Sequence, residues 1–268
     1  MNPEKYAHLL SVTHPLRESL LREVIADLQL PVKSHGLDAG CGIGLQILLL
    51  AEATKPHGRI TGLDTEPVFL KRAGEMVKEA GCASRIDFKK GDIYNLPFED
   101  SQFDWVWSAD CVGYQTENKI QLLEEIMRVV KPGGTVAILI WSSQMLLPGY
   151  PFLETRLNLT SPGVAPFTRE MIPEVHYLRT LGWFHDAGLK NCEAKTFVGD
   201  VCAPLSDEMR EAMTVMLHMR WEGADSEVSK DEWEEFLRLS SQDSPDFILD
   251  RPYYYAFFTY SVFRGRVP

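Results

Sequence analysis

The chain predicts an α/β fold with parallel strands and helices on both faces of the sheet. Three observations carry this. Strand-like and helix-like segments alternate between residues 35 and 141, the pattern of βαβ units with right-handed crossovers. A glycine-rich turn, Gly40-Cys41-Gly42-Ile43-Gly44, joins the first strand to its helix. The 268 residues, 45% apolar and 24% charged, suffice for a full core without disulfide staples.

The elements follow in order. Leu16, Leu20, Leu21, Val24, Ile25 and Leu28 recur at helical spacing, so residues 15–28 read as a helix. Thr13 or His14 caps it, Pro15 suits its first turn and Pro31 ends it. His35–Ala39 is a short strand running into the glycines, and Leu45–Ala53 an apolar helix. Arg59–Asp64 is a strand, Val68–Ala80 a helix stopped by Gly81, and Arg85–Lys90 a strand. Phe103–Ser108 is a strand and Lys119–Val130 a helix with Ile120, Leu123, Ile126, Met127 and Val130 on one face. Lys131-Pro132-Gly133-Gly134 reads as a turn before the very apolar strand Thr135–Trp141.

The alternation then breaks. Residues 142–173 are rich in Pro and Gly and read as an irregular excursion with one short helix. Tyr177–Ala187 is helical, Cys192–Val201 strand-like, Asp207–Trp221 a Met-rich amphipathic helix, Lys230–Leu239 a further helix and Tyr253–Phe263 a long aromatic strand. One domain is expected over 1–268, with a helical N-terminal cover over about 1–33, a core over about 34–142, and lid insertions over about 142–173 and 206–245.

Charge and composition exclude several classes. A net charge of -11 argues against a broad grip on nucleic acid, which needs basic surface to displace counterions. No apolar run approaches the ~20 residues of a membrane span, and Met1–Lys5 has no signal-peptide pattern. Cys41, Cys82, Cys111, Cys192 and Cys202 contain no CxxC pair, so free thiols in a reducing cytoplasm are expected. No metal site is expected.

The glycine turn is the most informative stretch. Glycines permit a tight turn and close ligand approach, and the following helix presents free N–H donors. Asp64 ends the next strand, where a carboxylate can bind both ribose hydroxyls. A dinucleotide site wants G-x-G-x-x-G, yet position 45 is Leu45, and Asp38 just before the turn would repel a pyrophosphate. S-adenosylmethionine fits better: it carries adenosine and two cationic centres but no phosphate. A nicotinamide-dependent oxidoreductase stays as the alternative, as does a non-catalytic protein that binds S-adenosylmethionine for regulation.

Three further motifs stand in order: Gly91-Asp92-Ile93, Leu96–Asp104, and Lys131–Gly134. With them the chain resembles the class I S-adenosylmethionine-dependent methyltransferases, most of all the small-molecule branch with the ubiquinone/menaquinone-type enzymes. The resemblance is close over about 34–142, loose over 1–33 and nearly absent beyond, apart from the final strands. It implies a Rossmann-like seven-stranded sheet, mostly parallel, with Tyr253–Phe263 as an antiparallel last strand beside Cys192–Val201. It also implies cofactor roles for Asp38, Gly40, Gly42, Asp64, Thr65, Asp92, Ile93 and Ser108, with S-adenosylhomocysteine as product. Asp92 would accept from the adenine amino group, Ile93 pack on the ring, Thr65 lie over the adenine edge, and the Ser108 carbonyl meet the methionine ammonium.

A small-molecule methyl acceptor is expected above the C-terminal ends of the fourth and fifth strands. Asp110, Tyr114 and Gln115 leave the fourth strand there and are either substrate groups or a helix-capping loop. His14 is a candidate base, and Tyr6 a candidate cover. Arg156, Arg169, Arg179, Arg210 and Arg220 are candidates for holding an acidic group, indistinguishable from surface arginines. The acceptor's identity and the oligomeric state leave no mark in the sequence.

Overall fold

The computed structural model describes residues 2–115 and 117–268; Met1 and Thr116 lie outside them. Seven strands form one sheet: β1 (His35–Ala39), β2 (Arg59–Asp64), β3 (Ile86–Lys90), β4 (Phe103–Ala109), β5 (Val130–Met145), β6 (Lys190–Cys202) and β7 (Tyr255–Arg266), in the spatial order β3-β2-β1-β4-β5-β7-β6. The β1–β2, β1–β4, β2–β3 and β4–β5 pairs are parallel, and β7 runs antiparallel to both β5 and β6. The strand order reverses between β1 and β4, so a crevice opens at their C-terminal ends.

Helices α1 (Pro3–Asp27), α2 (Leu45–Ala53) and α3 (Pro67–Glu79) share one core cluster with α8 (Asp207–Arg220) and α9 (Lys230–Ser240). Helices α4 (Lys119–Val129) and α7 (Thr180–Asp186) belong to a second cluster with the other face of the sheet. Short helices α5 (Pro151–Asn158) and α6 (Ser161–Val164) follow β5.

Several boundaries differ from the sequence expectation, three of them by more than a few residues. The first helix begins at Pro3, with Asn2 accepting the Glu4 N–H at 2.8 Å, and Pro15 lies inside it. Asn2-Pro3 is as good a start signal as His14-Pro15, and burial of Ala7 and Thr13 extends the packed face backwards. His14 is therefore a mid-helix residue, not a cap. Next, β5 begins at Val130: the Lys131–Gly134 stretch bulges between the Phe103 and Trp105 pairings instead of leaving the sheet. Finally, β5 runs on to Met145 because β7 is long enough to pair with it throughout, and two short helices rather than one occupy the Pro-rich segment.

Candidate functional site

The turn after β1 shows why glycine stands at each of its three positions. Gly40, Gly42 and Gly44 have φ of 82°, 53° and 82°, values that L side chains avoid. At Gly40 a Cβ would lie 2.4 Å from Cys111 Sγ, and at Gly44 2.9 Å from Ala73 Cβ. At Gly42 it would meet no atom within 4 Å. The turn is thus packed tightly on two sides and open at Gly42.

Asp64, at the end of β2, ties this turn down. Its Oδ2 accepts the Gly42 N–H at 2.9 Å and its Oδ1 the Glu66 N–H at 2.9 Å. The Leu63 carbonyl accepts from both Gly40 and Cys41. Each Asp64 oxygen keeps a second lone pair for a ligand hydroxyl. The Asp64 carbonyl in turn accepts the Gly91 N–H at 3.1 Å, which brings the Gly91-Asp92-Ile93 segment alongside. Ile93 is buried with Leu63 and Leu37. Asp92 is exposed and accepts the Tyr94 N–H at 3.0 Å; Thr65 is exposed on the loop after β2.

Asp38 is 2% exposed near the end of β1. Burial first, then the Asp64 charge, pushes its carboxyl up to about 8. Ser108, fully buried in β4, donates its hydroxyl to the Ala39 carbonyl at 2.7 Å and accepts the Val112 N–H at 3.2 Å, which locks the start of the following loop. Asp38, Gly40, Gly42, Asp64 and Ser108 therefore lie at or just beyond the C-terminal ends of the neighbouring strands β1, β2 and β4.

On the other side of the crevice Asp110 adopts φ 49° and turns its carboxylate back into the protein. Oδ1 accepts the Trp141 N–H at 2.9 Å and Oδ2 the Tyr260 hydroxyl at 2.8 Å, with Arg17 Nη1 4.0 Å away. Burial pushes the Asp110 carboxyl up, against the pull of Arg17 and these donors. Tyr114 donates to the Trp141 carbonyl at 2.9 Å, and Trp141 stacks on Phe258 at 4.8 Å. Gln115 is half-buried just beyond, its carbonyl taken by the Lys119 ammonium. His14 is half-buried on α1; burial and the Arg17 charge hold its imidazole down at about 4, so it is neutral near pH 7. Tyr6, two turns earlier, lies 6.1 Å from Phe69 ring to ring on the Asp64 side, and burial, then the Asp110 charge, raises its phenol.

Arg17 and Tyr260 join this cluster although the motif reading passed them by. The signal for Arg17 was present: it stands four residues after buried Thr13 and four before buried Leu21, a charged group inside the helix's packed line. Tyr260 carried none, because only the β5–β7 pairing sets it opposite Trp141.

Two of the five candidate arginines make ion pairs, Arg156 with Glu232 and Arg210 with Asp250, and Arg169 and Arg179 are exposed. Arg220 has structural partners: its guanidinium donates to the Pro162 and Gly163 carbonyls and to Gln144 Oε1. Gln144 Oε1 also accepts Trp141 Nε1 at 2.7 Å, and its Nε2 reaches Asn158 Oδ1. The segments after β5 and α8 are thereby bonded to the wall of the crevice. Met213 and Met216 are buried, whereas Phe152 is 88% exposed.

Known proteins resemble this chain in sequence and fold. Residues 37–134 match the family described as a methyltransferase domain. Demethylmenaquinone methyltransferase of Staphylococcus carnosus is 30% identical over 202 residues, 68% of this chain and 78% of that protein. The chloroplastic tocopherol O-methyltransferase of Arabidopsis thaliana is 34% identical over 118 residues, 44% of this chain but 33% of the longer relative. The chain thus spans less than two thirds of some curated relatives it matches. A SAM-dependent methyltransferase from Aquifex aeolicus shares the fold with a TM-score of 0.55 at 16% identity, over the whole of both chains.

Proposed function

The chain belongs to the class I S-adenosylmethionine-dependent methyltransferases of the small-molecule branch, and from that premise we propose that it transfers a methyl group to a small, partly apolar acceptor seated between Asp64 and Asp110. The observation that carries the reading is the clasp of Asp64 on Gly42, beside the open space at Gly42. This is a floor for an adenosine whose ribose hydroxyls reach a fixed carboxylate.

The residues present fit that cofactor. Asp38 is a buried carboxyl whose ionisation waits for a cation, and the ammonium of the methionine moiety supplies one. Asp64 would take the ribose, Asp92, Ile93 and Thr65 the adenine side, and the Ser108 carbonyl the ammonium, while Gly40 and Gly42 would give the close approach. When bound, the cofactor supplies an electrophilic methyl on a sulfonium. The chain's own part is to align the acceptor in line with it and to exclude water. Tyr6 on α1 roofs the crevice, and the segments over about 142–173 and 206–245 act as its lid. Asp110 and Tyr114 shape the acceptor side through their bonds to Trp141 and Tyr260, with Gln115 just beyond; His14, held down at about 4, stays neutral and is too weakly basic to serve as the general base near pH 7.

The net charge of -11 supports a small molecule rather than a nucleic acid as partner. No helix among the described residues is long and apolar enough to cross a membrane. The free cysteines suit a reducing, cytoplasmic setting.

Calorimetric titration with S-adenosylhomocysteine tests the cofactor. Transfer of a deuterated methyl to a reduced demethylmenaquinone, to a tocopherol, or to a metabolite in cell extract tests the activity. Absence of S-adenosylhomocysteine binding at high micromolar concentration, or tighter binding of a nicotinamide cofactor, sinks the reading. Binding without turnover over the whole panel favours a regulatory role.

A further inference from the structure

We propose that Arg17 is the residue that recognises the acceptor, and that it selects molecules carrying an anionic oxygen. This deepens the methyltransferase reading and rests on it. Arg17 stands on α1 beside Asp110, and its side chain is 13% exposed. A guanidinium offers five N–H donors, and when buried it is ordinarily matched by a close carboxylate or by several carbonyls. Here the nearest carboxylate, Asp110, stands at the outer limit of an ion pair, and among the described residues no carbonyl accepts from it. Its two hydrogen bonds are to neutral hydroxyls, Tyr260 and Thr13, each at 3.4 Å. The Asp110 carboxylate is 4.0 Å away, and both its oxygens already accept from Trp141 and Tyr260. The Arg17 Nε is buried and has no partner among the described residues.

The missing partner is therefore an oxygen acceptor, and its charge follows from the surroundings. Burial raises the Asp110 carboxyl against the pull of Arg17, and Arg17, despite its own burial, is held charged by Tyr260, Asp110 and Tyr6, so it stays a cation with no carboxylate in hydrogen-bond contact. His14, the other basic group packed near Arg17, is neutral at pH 7. The neighbouring groups Tyr6, Tyr114 and Tyr260 have phenols that burial keeps protonated. What remains is a poorly hydrated cation beside aromatic walls, a setting that favours a flat molecule with a carboxylate or ionised hydroxyl. Tyr260, which donates to Asp110 while accepting from Arg17, holds the guanidinium at the crevice edge.

The test titrates para-hydroxybenzoate and neutral para-hydroxybenzyl alcohol into the full chain saturated with S-adenosylhomocysteine. Wild type should prefer the anion by about tenfold or more. Arg17→Met should abolish that preference while leaving S-adenosylhomocysteine affinity within about twofold. Arg17→Lys, which keeps the charge without the fork, should retain part of it. Tyr260→Phe should reduce the preference without removing it. Equal binding of the two probes by wild type, or a preference that survives in Arg17→Met, overturns the proposal. Should Arg17→Met fail to fold, the wild-type preference and its partial retention in Arg17→Lys decide the matter. Loss of S-adenosylhomocysteine binding by wild type would instead overturn the cofactor reading.

Discussion

Asp64 Oδ2 accepts the backbone N–H of Gly42 at 2.9 Å. The carboxylate that ends β2 and the glycine that follows β1 are thus one unit, and substitutions at either position separate binding from folding in different ways.

Asp64→Ala removes two backbone anchors and the acceptor for ribose hydroxyls. It should weaken S-adenosylhomocysteine by about 1–3 kcal/mol, measured calorimetrically, with Asp64→Asn intermediate because one carbonyl oxygen remains. Unchanged affinity in both variants would displace the pocket from this turn.

Gly42→Val tests the open side of the turn. The new Cβ meets no protein atom within 4 Å, so the fold should persist with a strain cost of about 1–2 kcal/mol from the left-handed backbone. Binding of S-adenosylhomocysteine should disappear, because the branched side chain projects into the adenosine space. Gly40→Ala should behave oppositely, losing stability first through its clash with Cys111. Thermal melts and titrations on the same samples distinguish the two.

Asp38 makes stability depend on pH. Its folded value, about 8, stands above the ordinary 3.8, so the fold binds that proton more tightly than the unfolded chain does. Its contribution is complete below ~4 and is lost as pH rises towards ~8. His14, held at about 4 against an ordinary 6.5, acts in the opposite sense, since stability is lost as pH falls from ~6.5 to ~4. The Asp38 effect therefore stands clear of it between ~6.5 and ~8. Asp38→Asn should flatten the fall in melting temperature over that window. Saturating S-adenosylhomocysteine should flatten it too, with affinity rising as pH rises. A wild-type slope identical to that of Asp38→Asn would contradict this account.

Gln144→Leu should destabilise the chain by about 1–3 kcal/mol in urea unfolding, because Trp141 Nε1 and Arg220 Nε then lose their shared acceptor. Arg220→Lys should cost a similar amount, since one ammonium cannot serve Pro162, Gly163 and Gln144 in three directions. If neither substitution changes stability, the network carries no weight in holding the crevice wall.

The glycine turn and its tie to Asp64 were readable beforehand, for a local reason. Gly40, Gly42 and Gly44 each occupy a backbone conformation that other residues resist, and Asp64 follows at the distance of one βαβ unit, so residue type and spacing carry the information. The cluster around Asp110 was only half readable. Asp110 and Tyr114 sit on a loop whose position follows from β4, but their partners Arg17 and Tyr260 lie 93 and 150 residues from Asp110, respectively, and reach it from α1 and β7.

The arrangement of amino acids along the chain was enough for the alternation of strands and helices, the glycine turn and the class of ligand that suits it, because these depend on periodicity and on conformations that few residues tolerate. Long-range packing settled the rest. It moved the start of α1 to Pro3, carried β5 on to Met145, made Arg220 a structural anchor rather than a surface arginine, and set Arg17 beside Asp110. Which polar groups are buried together, and which are left without a partner, depends on contacts between residues far apart in sequence, and no local pattern encodes those.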